Sequence, residues 1–213
     1  MSTLTEVQYN AEFMVSEAPG SRSREAVSVA SGQNLKAGTV IGKKVYGTAT
    51  ETHAGNTGDG VMGAITVGAG AKAGVYNLTI IEPGTNVGTF QVEDPDGIIV
   101  GNGVVAAAFT GGGLSFTLAD GSTDFIAGDR FLITVAAGAG TVAVYDPAAT
   151  NGTEDVYGIL RDNVDASGGA LPGVAIVRDA EVNASELIWF SGATTDQKNA
   201  GLAALAVLGI IGR

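Results

Sequence analysis

Leu114-Ser115-Phe116-Thr117-Leu118 and Phe131-Leu132-Ile133-Thr134-Val135 place large apolar side chains at every second position. Successive side chains on a strand point to opposite faces, so each run predicts a β-strand with one face against a core. Asp120-Gly121 lies between the two runs and Gly111-Gly112-Gly113 lies before them, residue types that supply turns. Outward from this pair the pattern repeats. Residues 64–67, 75–81, 89–93 and 98–100 are short strand candidates, interrupted by Glu82-Pro83-Gly84 and Asp94-Pro95-Asp96-Gly97. Short strands with turn signals at near-regular spacing predict a small sandwich or barrel over residues 54–137.

The flanks carry further strand candidates at 26–29, 35–43, 142–145 and 174–177. The run 35–43 contains Gly38 and Gly42 followed by Lys43 and Lys44, which invites comparison with a phosphate loop. Such a loop needs four residues between its glycines and a hydroxyl residue after its lysine. Here three residues intervene and Lys44 stands in the hydroxyl position, so a β-turn at Gly38 is the reading. One helix is predicted near the C-terminus. Thr194 or Thr195 caps it, Gln197 closes a capping box with Thr194, and Gly209 ends it. Leu202, Leu205, Ala206 and Leu208 form its apolar face. Gly201 within this helix costs about 1 kcal/mol relative to alanine, so packing must support it. The fold class is mainly β with one C-terminal helix.

The N-terminus has its own period. Val7, Tyr9, Ala11, Phe13 and Val15 alternate with Gln8, Asn10, Glu12 and Met14, which predicts a one-faced strand. Ala18-Pro19-Gly20-Ser21 breaks it as a linker would. Residues 1–21 are therefore expected to be an arm, able to pair with its own domain or with another chain's sheet edge.

Composition narrows the chemistry. The 213 residues hold 22 acids and 11 bases, a net charge of -11, and only 15% are charged, against about 25% in ordinary domains. Residues 22–53 are basic at +3, whereas 54–137 carry -6. An acidic chain suits nucleic acid poorly, because phosphate binding rests on Lys and Arg. There is no cysteine and one histidine, His53, which excludes disulfides, thiolate metal sites and multi-histidine centres. The apolar runs fall short of the roughly 20 residues that span a membrane. The first 17 residues carry three acids and no base, the reverse of an export signal. The expectation is a soluble protein made in the cytoplasm, with no membrane and no nucleic acid among its partners.

No constellation rises to a catalytic site. His53 has no Gly-x-Ser-x-Gly elbow to serve. Glu93, Asp94 and Asp96 lack the spacing and the distal glutamate of a calcium loop, and Asp-Pro-Asp-Gly is a turn. Trp189, among Leu187, Ile188 and Phe190, is expected to be a structural anchor. The expectation is a non-enzyme with no catalytic residue, no cofactor and no metal.

Three stretches in order carry a resemblance. Residues 23–27 with 31–40, then 144–150 with 158–160, then 181–189 with Gly192 and Thr195-Asp196-Gln197-Lys198, are similar to the head decoration proteins of lambda-like tailed phages. The resemblance covers about residues 1–53 and 138–213. Phe190 departs from it, standing where proline is frequent in the family. Residues 54–137 have no counterpart in short members and are expected to be a β-rich insertion in a surface loop. The core is then discontinuous, 22–53 with 138–213.

The resemblance implies a small β-clip-like core and a homotrimer on the outer surface of the virion. Trimers are expected at three-fold and quasi-three-fold positions of the expanded head, holding neighbouring major capsid proteins against internal DNA pressure. The arm is expected to pair with the capsid protein through Leu4, Val7, Tyr9, Phe13 and Val15. The alternative reading is a carbohydrate-binding or host-adhesion β module on the virion surface.

Overall fold

The computed structural model describes residues 9–213. The chain divides into two compact units. The first gathers the chain up to Lys44 with Gly140–Ala149 and Thr153–Arg213; the second holds Val45–Ala139 and Thr150–Gly152.

The first unit contains β1 (Met14–Glu17), β2 (Arg24–Val29), β3 (Gln33–Leu35) and β4 (Val40–Lys43). The second unit follows with β5 (Tyr46–Thr52), β6 (Thr66–Val67), β7 (Gly74–Gly84), β8 (Val87–Glu93), β9 (Ile99–Val104), β10 (Ala108–Gly111), β11 (Leu114–Thr117) and β12 (Arg130–Ala137). The chain then returns to the first unit through β13 (Val142–Val144), β14 (Gly158–Leu160), β15 (Val164–Ala166), β16 (Leu171–Ile176) and β17 (Ala180–Val182), before α1 (Thr195–Val207) and β18 (Ile210–Gly212).

In the first unit, β13, β2, β16, β14 and β4 close into a barrel, and β1-β17-β18 and β15-β3 form small sheets beside it. Closure removes the sheet edges. Neighbouring residues on β4, β14 and β16 face different cores. Ile41, Leu160 and Ala175 belong to one cluster with Val29 and Val142. Val40, Ile159 and Ile176 belong to the other, with Phe13, Val182, Leu187, Leu205 and Ile210. A strand covered on both faces shows a continuous apolar run instead of alternation, which is why Val40-Ile41 and Ile159-Leu160 carry no period-2 signal. Gly42 lets the chain pass closely, since a Cβ there would lie 2.5 Å from the Thr153 carbonyl oxygen.

The second unit is an antiparallel sandwich of β5-β12-β7-β8-β9 over β10-β11-β6. Tyr76, Leu78 and Ile80 of β7, Phe90 and Val92 of β8, and Phe131, Ile133 and Val135 of β12 point inward and are buried. Phe109, Leu114 and Phe116 answer from the second sheet. The Phe90, Phe109 and Phe116 rings pack at centroid distances of 5.0 to 6.0 Å.

Several boundaries differ from the sequence reading. Residues 46–52 are not part of the core 22–53: β5 pairs with β12 and lies in the second unit. Glu82-Pro83-Gly84 does not stop the strand at Ile81 but supplies its last three residues. It lies inside β7, past an irregularity between Ile80 and Glu82, and pairs across a hairpin with β8. Asn86 makes that turn at φ 55°. β10 was not expected, because Ala108-Phe109-Thr110-Gly111 has one large apolar side chain and no repeat. The period-2 strand expected over 7–15 is replaced, from Tyr9 to Phe13, by a turn with Ala11 at φ 60°.

Candidate functional site

The sequence points to the N-terminal segment first. Leu4 and Val7 lie outside the described residues. Tyr9 is 64% exposed, Val15 58% exposed and Phe13 fully buried. Phe13 therefore belongs to the core of the first unit and offers nothing to a partner, and the described members of the set do not share a face. The turn at Ala11 and the irregularity between Met14 and Ser16 break the alternation.

From residue 10 onward the segment is fastened to its own unit. The Asn163 amide donates to Asn10 Oδ1 at 2.9 Å, the Ala11 amide to the Arg161 carbonyl at 2.9 Å, and the Asn183 amide to the Phe13 carbonyl at 2.7 Å. β1 pairs antiparallel with β17, and the Ala18 amide donates to Asp179 at 3.0 Å. Glu17 closes the series: Ser23 Oγ donates to its Oε2 at 2.6 Å, Arg24 Nε donates to the same oxygen at 2.9 Å, and Arg24 Nη2 pairs with Oε1. The Arg24 guanidinium, then the Ser23 hydroxyl, hold the Glu17 carboxyl below its ordinary pKa. This clamp escaped the sequence reading, and its one trace is an acid and a base flanking the Pro-Gly break.

Among the described residues β1 is an edge strand, paired on one side only. The outward row of its sheet holds Ser16, Glu181 and Ile211, with Arg213 paired to Glu181. Nothing in this row is a reaction centre; the arrangement can offer hydrogen bonds and contact area.

Trp189 is half-buried against the α1 side of the first unit. Its indole covers Gly201 and meets Tyr145 edge-on at 6.4 Å. Thr194 and Gln197 make the capping box, and the chain leaves α1 through Gly209 at φ 78°. Of the expected apolar face, Leu205 is buried and Leu202 and Leu208 are partly so, but Ala206 is exposed.

The polar groups of the second unit hold its turns. Asp129 is buried and accepts from the amides of Thr57, Gly58 and Ile126. Burial pushes its pKa up, but the three amides outweigh it and the net displacement is downward. In the Asp-Pro-Asp-Gly turn, Asp94 accepts from the amides of Asp96 and Ile98, and Lys72 Nζ sits 2.5 Å from Asp94 and 2.7 Å from Asp96. The ammonium stands where a calcium ion would have to. His53 is exposed, its Nδ1 2.6 Å from Glu51 and its ring tilted against Phe131. Among the described residues no group of three or more His, Asp or Glu could hold a metal, and no helix is long and apolar enough to cross a membrane.

A family model for bacteriophage lambda head decoration protein D matches residues 3–210, through both units. The chain belongs to that family. Head decoration proteins are thus the setting for the fastened N-terminal segment. No curated protein matches the chain. Two crystal structures of Xanthomonas campestris FlgL, in space groups H3 and C2, match at 18% identity with TM-scores of 0.34 and 0.33. The overlap covers 47% of this chain and 33% of FlgL, so the chain spans about a third of that protein's length.

Proposed function

We propose that this protein decorates the outer surface of a tailed-phage head as a homotrimer. It sits at three-fold and quasi-three-fold positions and holds neighbouring major capsid proteins together against internal DNA pressure. The match to the head decoration family over nearly the whole chain carries this reading. The role is adhesive and not catalytic, and it needs no cofactor. Trimerisation would let three weak contacts act together, with avidity about 10²–10⁴ above one site.

The first unit also supports a contact through its N-terminal end. The chain is fastened from Asn10 onward and Tyr9 is exposed beside that anchor, so the proposed capsid contact runs through the stretch that ends at Tyr9. Leu4 and Val7 fall in that stretch; Phe13 does not. The glycan-binding alternative finds no support at the surface of the second unit. Tyr46, Tyr76, Phe90, Phe109, Phe116, Phe125 and Phe131 are all buried, leaving no exposed Phe or Tyr there for a sugar to stack on.

Deletion of residues 2–8 tests this reading. The shortened protein is expected to keep its sedimentation coefficient and melting temperature and to lose occupancy on expanded heads. Unchanged occupancy would remove the N-terminal segment from the contact. Absence of full-length protein from heads would remove the decoration role itself.

A further inference from the structure

The two sheets of the second unit are joined at one margin by the turn from β9 to β10, while at the other margin β5 and β6 come close without forming a ladder. Among the described residues β5 is strand-paired only with β12 and β6 only with β11, and the Asn151 carbonyl accepts from the amides of Val45 and Tyr46 at the start of β5. Between them runs a groove of about 520 Å³ lined by Gly47, Thr48, Ala49, Ile65, Thr66 and Val67, with Thr150 and Asn151 at one end. A free strand edge presents unpaired amide and carbonyl groups, and folded proteins usually blunt it with lysine, proline or a covering element. Residues 47–50, Gly-Thr-Ala-Thr, contain no charge and no proline. Glu51, the nearest charge, is engaged by His53.

The edge specifies what fits it. Its hydrogen-bonding groups are satisfied by another extended backbone, as in strand addition. On β5, Ala49 packs toward the core while Thr48 and Thr50 are exposed. A strand laid beside it would set alternate side chains over Ala49, Ile65 and Val67, and the others beside the threonines. The guest therefore alternates small apolar with polar residues. Charge selects further: the second unit holds nine acids and two bases, so a neutral or basic guest is favoured. A second copy of this unit is equally acidic, and residues 1–21 carry three acids and no base. Both are disfavoured as guests.

We propose that the β5–β6 seam is a strand-acceptor site for an extended, neutral-to-basic segment of the protein that forms the head shell. This rests on the decoration reading and adds a second contact, independent of the N-terminal segment.

Hydrogen–deuterium exchange of the full-length protein, free and bound to expanded heads, tests it. Those amides of residues 47–51 that point away from β12 are expected to exchange at least about tenfold more slowly on heads, since they gain partners that free edge amides lack. The double substitution Thr48→Lys, Thr50→Lys, at exposed positions, is expected to weaken head binding about fivefold or more, because lysine blunts a strand edge and sets like charge beside a basic guest. Full occupancy without protection at 47–51 would overturn the acceptor site and leave the decoration role intact. Protection that grows with protein concentration in the absence of heads would assign the seam to a second copy and equally overturn it. Failure to occupy heads at all would overturn both readings.

Discussion

The indole of Trp189 occupies the space above Gly201 that a side chain would need. A Cβ at 201 would run into the six-membered ring, against Cζ3 and Cη2. Elsewhere in a helix the exchange of Gly for Ala gains about 1 kcal/mol; here that gain is opposed by overpacking, which costs typically 1–3 kcal/mol. Gly201→Ala is therefore expected to destabilise the first unit by up to about 2 kcal/mol in a denaturant titration, by the balance of those two effects. Adding Trp189→Leu should recover part of the loss, since it removes the obstacle. A stabilised Gly201→Ala protein would show that the indole moves aside freely.

Ala106 offers the opposite experiment. It holds φ at 64° in the turn between β9 and β10, with its amide donating to the Leu118 carbonyl at 2.8 Å. Left-handed backbone costs a non-glycine residue about 1–2 kcal/mol, while glycine adds about 0.4–1 kcal/mol of unfolded-chain entropy. Ala106→Gly should thus raise stability by about 0.5 kcal/mol, the difference between these effects. Thermal unfolding reads it as a melting point raised by a few degrees; a lower melting point would contradict the strain.

These two sites also show what the sequence could and could not convey. Gly201 was visible as a defect in a helix pattern, and Trp189 as an anchor in search of a partner, but their pairing depends on a fold no local pattern contains. The sandwich was legible because Phe131, Ile133 and Val135 alternate against one core. The barrel strands were harder to read, because Val40 and Ile41 are buried on opposite faces in different clusters. The N-terminal alternation misled for a physical reason. Hydrophobic period 2 predicts a strand only where the backbone stays extended, and the turn at Ala11 reverses which side chain meets the core.

Acid should loosen the N-terminal clamp. Glu17 has its pKa lowered in the folded state by the Arg24 hydrogen bonds, and then by Ser23. A lowered folded pKa contributes stability that is complete above the unfolded value, about 4.3 for glutamate, and is lost as pH falls through the folded value. Asp129, also lowered, contributes in the same direction from the second unit. Stability should therefore fall as pH drops below about 4.5, where unfolded carboxyls begin to take up protons first. Glu17→Gln should be less stable than the parent at pH 7 and should lose less on acidification. Parallel pH profiles for the two proteins would remove Glu17 from the effect.

Phe13 and Val15 separate a core role from a contact role within three residues of chain. Phe13 is fully buried among Val182, Leu187 and Leu205, whereas Val15 is 58% exposed on an edge strand. Truncating a buried phenylalanine costs about 3–5 kcal/mol, so Phe13→Ala is expected to lower the denaturation midpoint severely. Any loss of head binding it causes should then follow the unfolded fraction and vanish where the protein remains folded. Val15→Ala lies outside the core and should change stability by less than about 0.5 kcal/mol. Its effect on head binding reports directly on whether the β1 edge touches the capsid. A Phe13→Ala protein of full stability that no longer bound heads would return this side chain to the contact surface, and would mean that the N-terminal turn opens when the protein docks.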